Sequence, residues 1–162
     1  MQAKGKWALA IGFVALILLG LRLLLVSGES DKDLIQATIR EAIEASKEGR
    51  SGGVLEQLSR SFTFNEEQTW DRNQIAQVIK NSKPEVIIFN MEPVISGDTA
   101  TVISRAQVKG QFVFAPINLE IPSVKIELAR GTEMRYGILP KKKWRITSIT
   151  APGLTGTEFM PQ

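Results

Sequence analysis

From Trp7 to Val26 the chain reads WALAIGFVALILLGLRLLLV, twenty residues with a single charge. No other feature restricts the fold as strongly. A helix rises 1.5 Å per residue, so about 20 residues cover the roughly 30 Å hydrocarbon core of a bilayer. Spanning as a helix also satisfies every backbone polar group internally. A soluble chain of 162 residues has little room to bury a helix that is apolar on all sides. The segment is therefore read as a transmembrane helix over residues 7–26. Lys4 and Lys6 precede it, and Glu29, Asp31 and Asp33 follow it. By the positive-inside rule, residues 1–6 form a cytoplasmic tail and the rest is exported. Arg22 lies about one turn from the outer end, where its side chain can snorkel to the headgroups. A cleaved signal peptide, cut near Val26-Ser27-Gly28, is the competing reading. Both readings place the domain outside the cytoplasm, which is the periplasm if the cell is Gram-negative.

Charge and composition then remove whole function classes. The net charge of +3 comes from Lys4, Lys6 and Arg22, and the remaining 17 basic residues match the 17 acidic ones. A neutral domain lacks the basic surface that nucleic-acid binding requires, so no nucleic-acid partner is expected. The chain has no cysteine and no histidine. Disulfides, thiol nucleophiles and the commonest metal ligand are thereby excluded, along with the usual general base near pH 7. Neither a metal nor a cofactor is expected, and the chain is not read as an enzyme.

After a short joint at residues 27–30, helical spacing of Leu34, Ile35, Ile39, Ala42 and Ile43 predicts an amphipathic helix over Asp31–Glu48, stopped by Gly49. A shorter helix is expected over Val54–Arg60 and a brief strand at Ser61–Phe64. Asp71 is a natural N-cap for a third helix, which ends near Ser82 because Lys83 precedes Pro84. Everything later reads as strand: Glu85–Ile95, Thr99–Lys109, Gln111–Leu119, Pro122–Arg135 and Trp144–Ile149. Alternation puts Ala100, Val102, Ser104, Ala106 and Val108 on one buried face. In the last strand it sets Trp144, Ile146 and Ser148 against Arg145, Thr147 and Ile149. Pro140-Lys-Lys-Lys reads as a charged loop that could touch anionic lipid, and residues 152–162 as a loose tail. Helices followed by consecutive antiparallel strands predict an α+β structure, with three helices packed on a curved antiparallel sheet.

This order of elements resembles the NTF2-like superfamily, with its SnoaL-like and ketosteroid-isomerase-like branches. The resembling features are the long opening helix, the short helix running into Phe62 and Phe64, and the helix opened by Asp71-Arg72. A hairpin over Ser96-Gly97-Asp98-Thr99-Ala100-Thr101-Val102 and the closing Lys143-Trp144-Arg145-Ile146 strand complete the pattern. The resemblance spans residues 31–151 and implies a cone-shaped cavity between sheet and helices. Catalytic relatives place acid–base groups in that cone, but no such residue can be carried over to this chain. A cytoplasmic N-terminus, one span and such a domain are also similar in layout to VirB8-like secretion components.

Phe62, Phe64, Trp70, Phe89, Phe112, Phe114, Tyr136 and Trp144 are the candidate pocket-lining residues, weighed against plain core packing. Asp71 with Tyr136, and Glu66 with Glu67, are the available acid–base pairings, each more simply read as a helix cap or a solvated loop. The expected role is a membrane-anchored scaffold that holds the bilayer through residues 7–26 and binds a protein partner or itself. A small apolar ligand in the cone is the alternative.

Overall fold

The computed structural model describes residues 29–65, 68–69, 71–112, 115–135 and 139–153. The predicted membrane span, the joint at 27–28 and the tail beyond Gly153 lie outside them. Among the described residues no helix is long and apolar enough to cross a membrane.

Helix α1 (Asp31–Lys47) buries Ile35, Thr38 and Ile39 along one stripe. It ends in a glycine-dependent cap: Gly49 takes φ +73°, its N–H donates to the Ser46 carbonyl, and the Arg50 N–H donates to the Ala45 carbonyl. Both carbonyls would otherwise be left without a partner. Helix α2 (Ser51–Gln57) follows at once and both begins and ends three residues earlier than expected, so Leu58–Arg60 are strand rather than helix. It approaches α1 so closely that a Cβ on Gly53 would stand 2.9 Å from the Ala45 Cβ. Helix α3 (Arg72–Ser82) opens at Asp71, whose backbone N–H donates to Gln74 Oε1. It ends at Lys83, as the following proline requires.

The strands are β1 (Leu58–Phe64), β2 (Gln68–Thr69), β3 (Glu85–Ile88), β4 (Pro93–Ser96), β5 (Thr99–Phe112), β6 (Ala115–Arg135) and β7 (Leu139–Thr150). They form one sheet in the order β2-β1-β7-β6-β5-β3, with β4 also paired to β5. The sheet is mixed, which corrects the all-antiparallel expectation: β1 runs parallel to β7. No hairpin joins these two strands, so nothing local in the sequence reports their relative direction.

Four other expectations are corrected along the ladders. The run Glu85–Ile95 divides into β3 and β4 on the same edge of β5, separated at residues 89–92. There the Asn90 N–H donates to Ser104 Oγ at 2.8 Å instead of continuing the ladder. The two strands expected around Pro116 and Pro122 are one, β6, and Pro122 with Ser123 lies opposite Arg105 alone. Proline has no N–H to give a ladder, so a bulge is where it fits. The bulge shifts the inward phase by one residue, from Leu119 and Ile121 to Val124, Ile126 and Leu128. Lys141–Lys143, expected in a loop, pair with Glu133–Gly131 as part of β7. A second bulge at Thr147 leaves Ser148 opposite Glu127 and Ile149 opposite Ile126. Ile149 therefore shares the inner face with Ile146 rather than the outer face with Arg145.

The helices cover one face of the sheet. Thr38 Oγ1 donates to the Leu34 carbonyl and to the Trp144 carbonyl on β7, and Ser46 Oγ donates to the Pro84 carbonyl at 2.9 Å. At the start of α1, Asp31 accepts from Trp144 Nε1 at 3.3 Å and pairs with Arg130 at 3.0 Å. Arg130 also pairs with Asp98 in the β4–β5 turn and lies over the Trp144 ring. This cluster fastens the first turn of the domain to the middle of the sheet.

Candidate ligand cavity

The strand break at residues 89–92 and the bulges at Pro122-Ser123 and at Thr147 fall on three parts of the sheet, and a bulge increases local twist. The curved sheet does not close against the helices. Between them lies a cavity of about 260 Å³. Helix α1 contributes Ile39, Ala42, Ile43 and Ser46, and α3 contributes Ile75, Val78 and Ile79. The sheet supplies Phe62 and Phe64 from β1, Val86 and Ile88 from β3, Ala106 and Val108 from β5, Val124 and Ile126 from β6, and Ile146 and Ile149 from β7. Both bulges are needed for this set, since each puts the residues that follow it back on the inner face.

Among the described residues the lining is almost wholly hydrocarbon: Ser46 is the one polar side chain, its hydroxyl already donates to the Pro84 carbonyl, and none is titratable. Among the described residues no group of three or more acidic side chains gathers as a metal site either.

The candidate aromatic residues separate. Phe62 and Phe64 line the cavity from β1. Trp144 is buried at 1% exposure but packs under Arg130 and Asp31, outside the lining. Phe89 stands 61% exposed at the sheet edge, with the Arg105 guanidinium 5.3 Å from its ring centre. Phe112 ends β5, and the structure does not describe its side chain. Trp70, Phe114 and Tyr136 lie outside the described residues, as do Glu66 and Glu67. Asp71 is an exposed helix cap, away from the cavity lining. The residues missed in the sequence are aliphatic: Ile39, Ile43, Ile75, Val108, Val124 and Ile126. Their helical and alternating spacing marked them as inward-facing, but the same spacing describes filled core.

Several titratable residues adjoin lining residues in sequence. Lys47 follows Ser46, Lys83 and Glu85 flank Pro84, and Lys109 follows Val108. Lys47 pairs with Glu85 at 2.7 Å, and Glu85 faces Lys109 across the β3–β5 ladder. The hydrogen bond from Lys47 holds the Glu85 carboxyl below its ordinary range. Elsewhere, Glu127 is held below that range chiefly by Lys125, and then by Ser148, whose hydroxyl donates to it at 2.6 Å.

No family model matches the chain, and no curated protein does. Solved structures do. An NTF2-like protein with a cystatin-like fold from Novosphingobium aromaticivorans superposes with a TM-score of 0.56 at 14% identity, covering 89% of this chain and 96% of its own. An NTF2-like protein from Cytophaga hutchinsonii gives 0.54 at 12% identity, over 78% of this chain and all of its own. A candidate ketosteroid isomerase from Shewanella frigidimarina gives 0.52 at 14% identity, over 72% and 93%. The described domain has an NTF2-like fold.

Proposed function

We propose that this chain binds a small apolar ligand in the cone and performs no chemistry on it. The carrying observation is the lining: the described side chains leave about 260 Å³ bounded by hydrocarbon and one internally satisfied hydroxyl. Larger side chains at Ala106 or Val124, both in the lining, would fill that space. Similarity to a candidate ketosteroid isomerase supports an apolar ligand class, and the described lining residues, none of which can transfer a proton, support binding without turnover. Residues 7–26 would hold the domain at a membrane, outside the cytoplasm, where apolar molecules concentrate.

Titration with the neutral fluorophore N-phenyl-1-naphthylamine tests the binding. Saturable enhancement is expected, reduced at least about ten-fold by Ala106→Leu, since one added leucine side chain occupies much of the space. Absence of saturable binding by the unsubstituted protein would end this reading.

A second reading, the scaffold, rests on a different surface. Ile87, Phe89, Val94 and Ile103 are all exposed around β3, β4 and β5, with Val94 75% and Ile103 61% exposed. Self-association through these side chains would appear as a dimer in light scattering and would be lost in Val94→Asp with Ile103→Asp.

A further inference from the structure

The outer face of the sheet, away from the helices and the cavity, carries exposed hydrocarbon in an ordered row. Ala100, Val102, Ser104 and Ala106 of β5 are buried, so Thr101, Ile103, Arg105 and Gln107 between them point outward. Cross-strand partners share a face: Val94 of β4 sits opposite Thr101, and Ile87 of β3 opposite Gln107. Phe89 joins them, since its ring lies under the outward Arg105 guanidinium. Val94, Ile103, Phe89 and Ile87, all exposed, thus form one stripe along residues 101–107 of β5, about 20 Å long at about 3.4 Å per residue. The charged residues of β3, β5 and β6 beside it balance, with Glu85, Glu120 and Glu127 against Arg105, Lys109 and Lys125.

This stripe begins where the chain enters the domain. Asp31 pairs with Arg130, which pairs with Asp98 just after β4, while Lys32 pairs with Glu92 just before it. Both ends of the strand that carries Val94 are therefore tied to the first turn of α1. Only residues 27–30 separate Val26 from Asp31, a reach of at most about 17 Å. A span that ends at Val26 keeps a bilayer within that distance of Asp31.

We infer that the stripe docks on the surface of that bilayer, its four apolar side chains entering the headgroup region and Arg105 staying at the level of the phosphates. This step rests on residues 7–26 being a span and is independent of the cavity. The apolar area, about 20 Å by two strand spacings of about 5 Å, is far below the roughly 800 Å² per partner of a stable protein interface. A tethered domain needs less, because the tether supplies a high effective concentration. Balanced charge makes the contact one of hydrocarbon burial rather than attraction to anionic lipid.

The chain has no cysteine, so single introduced cysteines can report position. The full chain is placed in phosphatidylcholine nanodiscs containing nitroxide-labelled lipid. A bimane fluorophore is attached to Gln107→Cys, at the end of the stripe far from Asp31, or to Gln77→Cys, exposed on α3. Lipid should quench the first at least about three-fold more than the second, with little effect of added salt. Replacing Val94, Ile103 and Phe89 together by Thr keeps strand-forming side chains and should abolish the difference without lowering the melting temperature appreciably. Equal quenching at the two sites, in chains held by the nanodisc, would overturn the docking and leave the span. Quenching that requires anionic lipid and disappears in salt would overturn the apolar contact. Dimers of the detergent-solubilised chain in light scattering, with Gln107→Cys unquenched in nanodiscs, would assign the stripe to a second copy instead. Chains that fail to enter nanodiscs at all would overturn the span and the docking with it.

Discussion

Two polar groups at the edge of the core make predictions of opposite kinds. Asp31 accepts the Trp144 indole N–H and pairs with Arg130, both held close to the core. Asp31→Ala strips the acceptor from a buried donor, which costs about 1–3 kcal/mol and should lower the urea midpoint accordingly. Glu127 instead gives a pH signature. Its carboxyl titrates below the ordinary range because Lys125 and Ser148 donate to it, so folding favours its charged form. Its contribution is thus fully present above the unfolded-state value near 4.5 and is lost as pH falls through the lower folded value. Glu127→Gln should lower the melting temperature slightly at neutral pH, where that contribution is present, and change little at the acid end, so the acid limb flattens. With both partners 40% exposed, solvent screening keeps the effect under about 1 kcal/mol.

Among the elements, the contact between the first two helices and the two bulges are most open to test. Replacing Gly53 by Ala would gain up to about 1 kcal/mol of helix propensity. Its new Cβ, however, would sit 2.9 Å from the Ala45 Cβ on a neighbouring helix, and neither atom has a rotamer to escape by. The clash should win, with a net loss of about 1–2 kcal/mol in thermal denaturation and a larger one for Gly53→Val. Deleting Thr147 removes the extra residue of its bulge. Ile146, Ser148 and Ile149 would then alternate regularly opposite Leu128, Glu127 and Ile126, so the faces would be kept while the local bend that opens the cavity is lost. Loss of naphthylamine binding at a retained sheet signal in circular dichroism is the expected result.

For the molecule as a whole, stability and binding should trade against each other. Filling the cone by Ala106→Leu or Val124→Phe should leave the melting temperature unchanged or raise it, while abolishing ligand uptake. Ordinary core positions behave differently, since overpacking there costs about 1–3 kcal/mol. Ile39→Ala should lower stability by about 2–4 kcal/mol and admit a longer ligand, because its side chain is fully buried against the same space.

Periodicity, glycine and proline carried much of this fold. The helical stripe of α1, its stop at Gly49 and the end of α3 before Pro84 were legible locally, as was the inward set Ala100, Val102, Ser104 and Ala106. Each depends on a residue's own backbone preference or on neighbours within a turn or a strand. Pro122 also marked its interruption, though a bulge and a strand break share that local signal. The parallel union of β1 with β7, the phase change at Thr147 and the lysines of β7 as strand depended on partners distant in sequence. The cavity belongs with these. Spacing shows which side chains point inward, and an aliphatic side chain that points inward reads the same over a void as over a packed neighbour. Only the curvature of the assembled sheet, with a strand break and two bulges in separate places, decided that the inward faces of α1, α3 and the sheet would not meet.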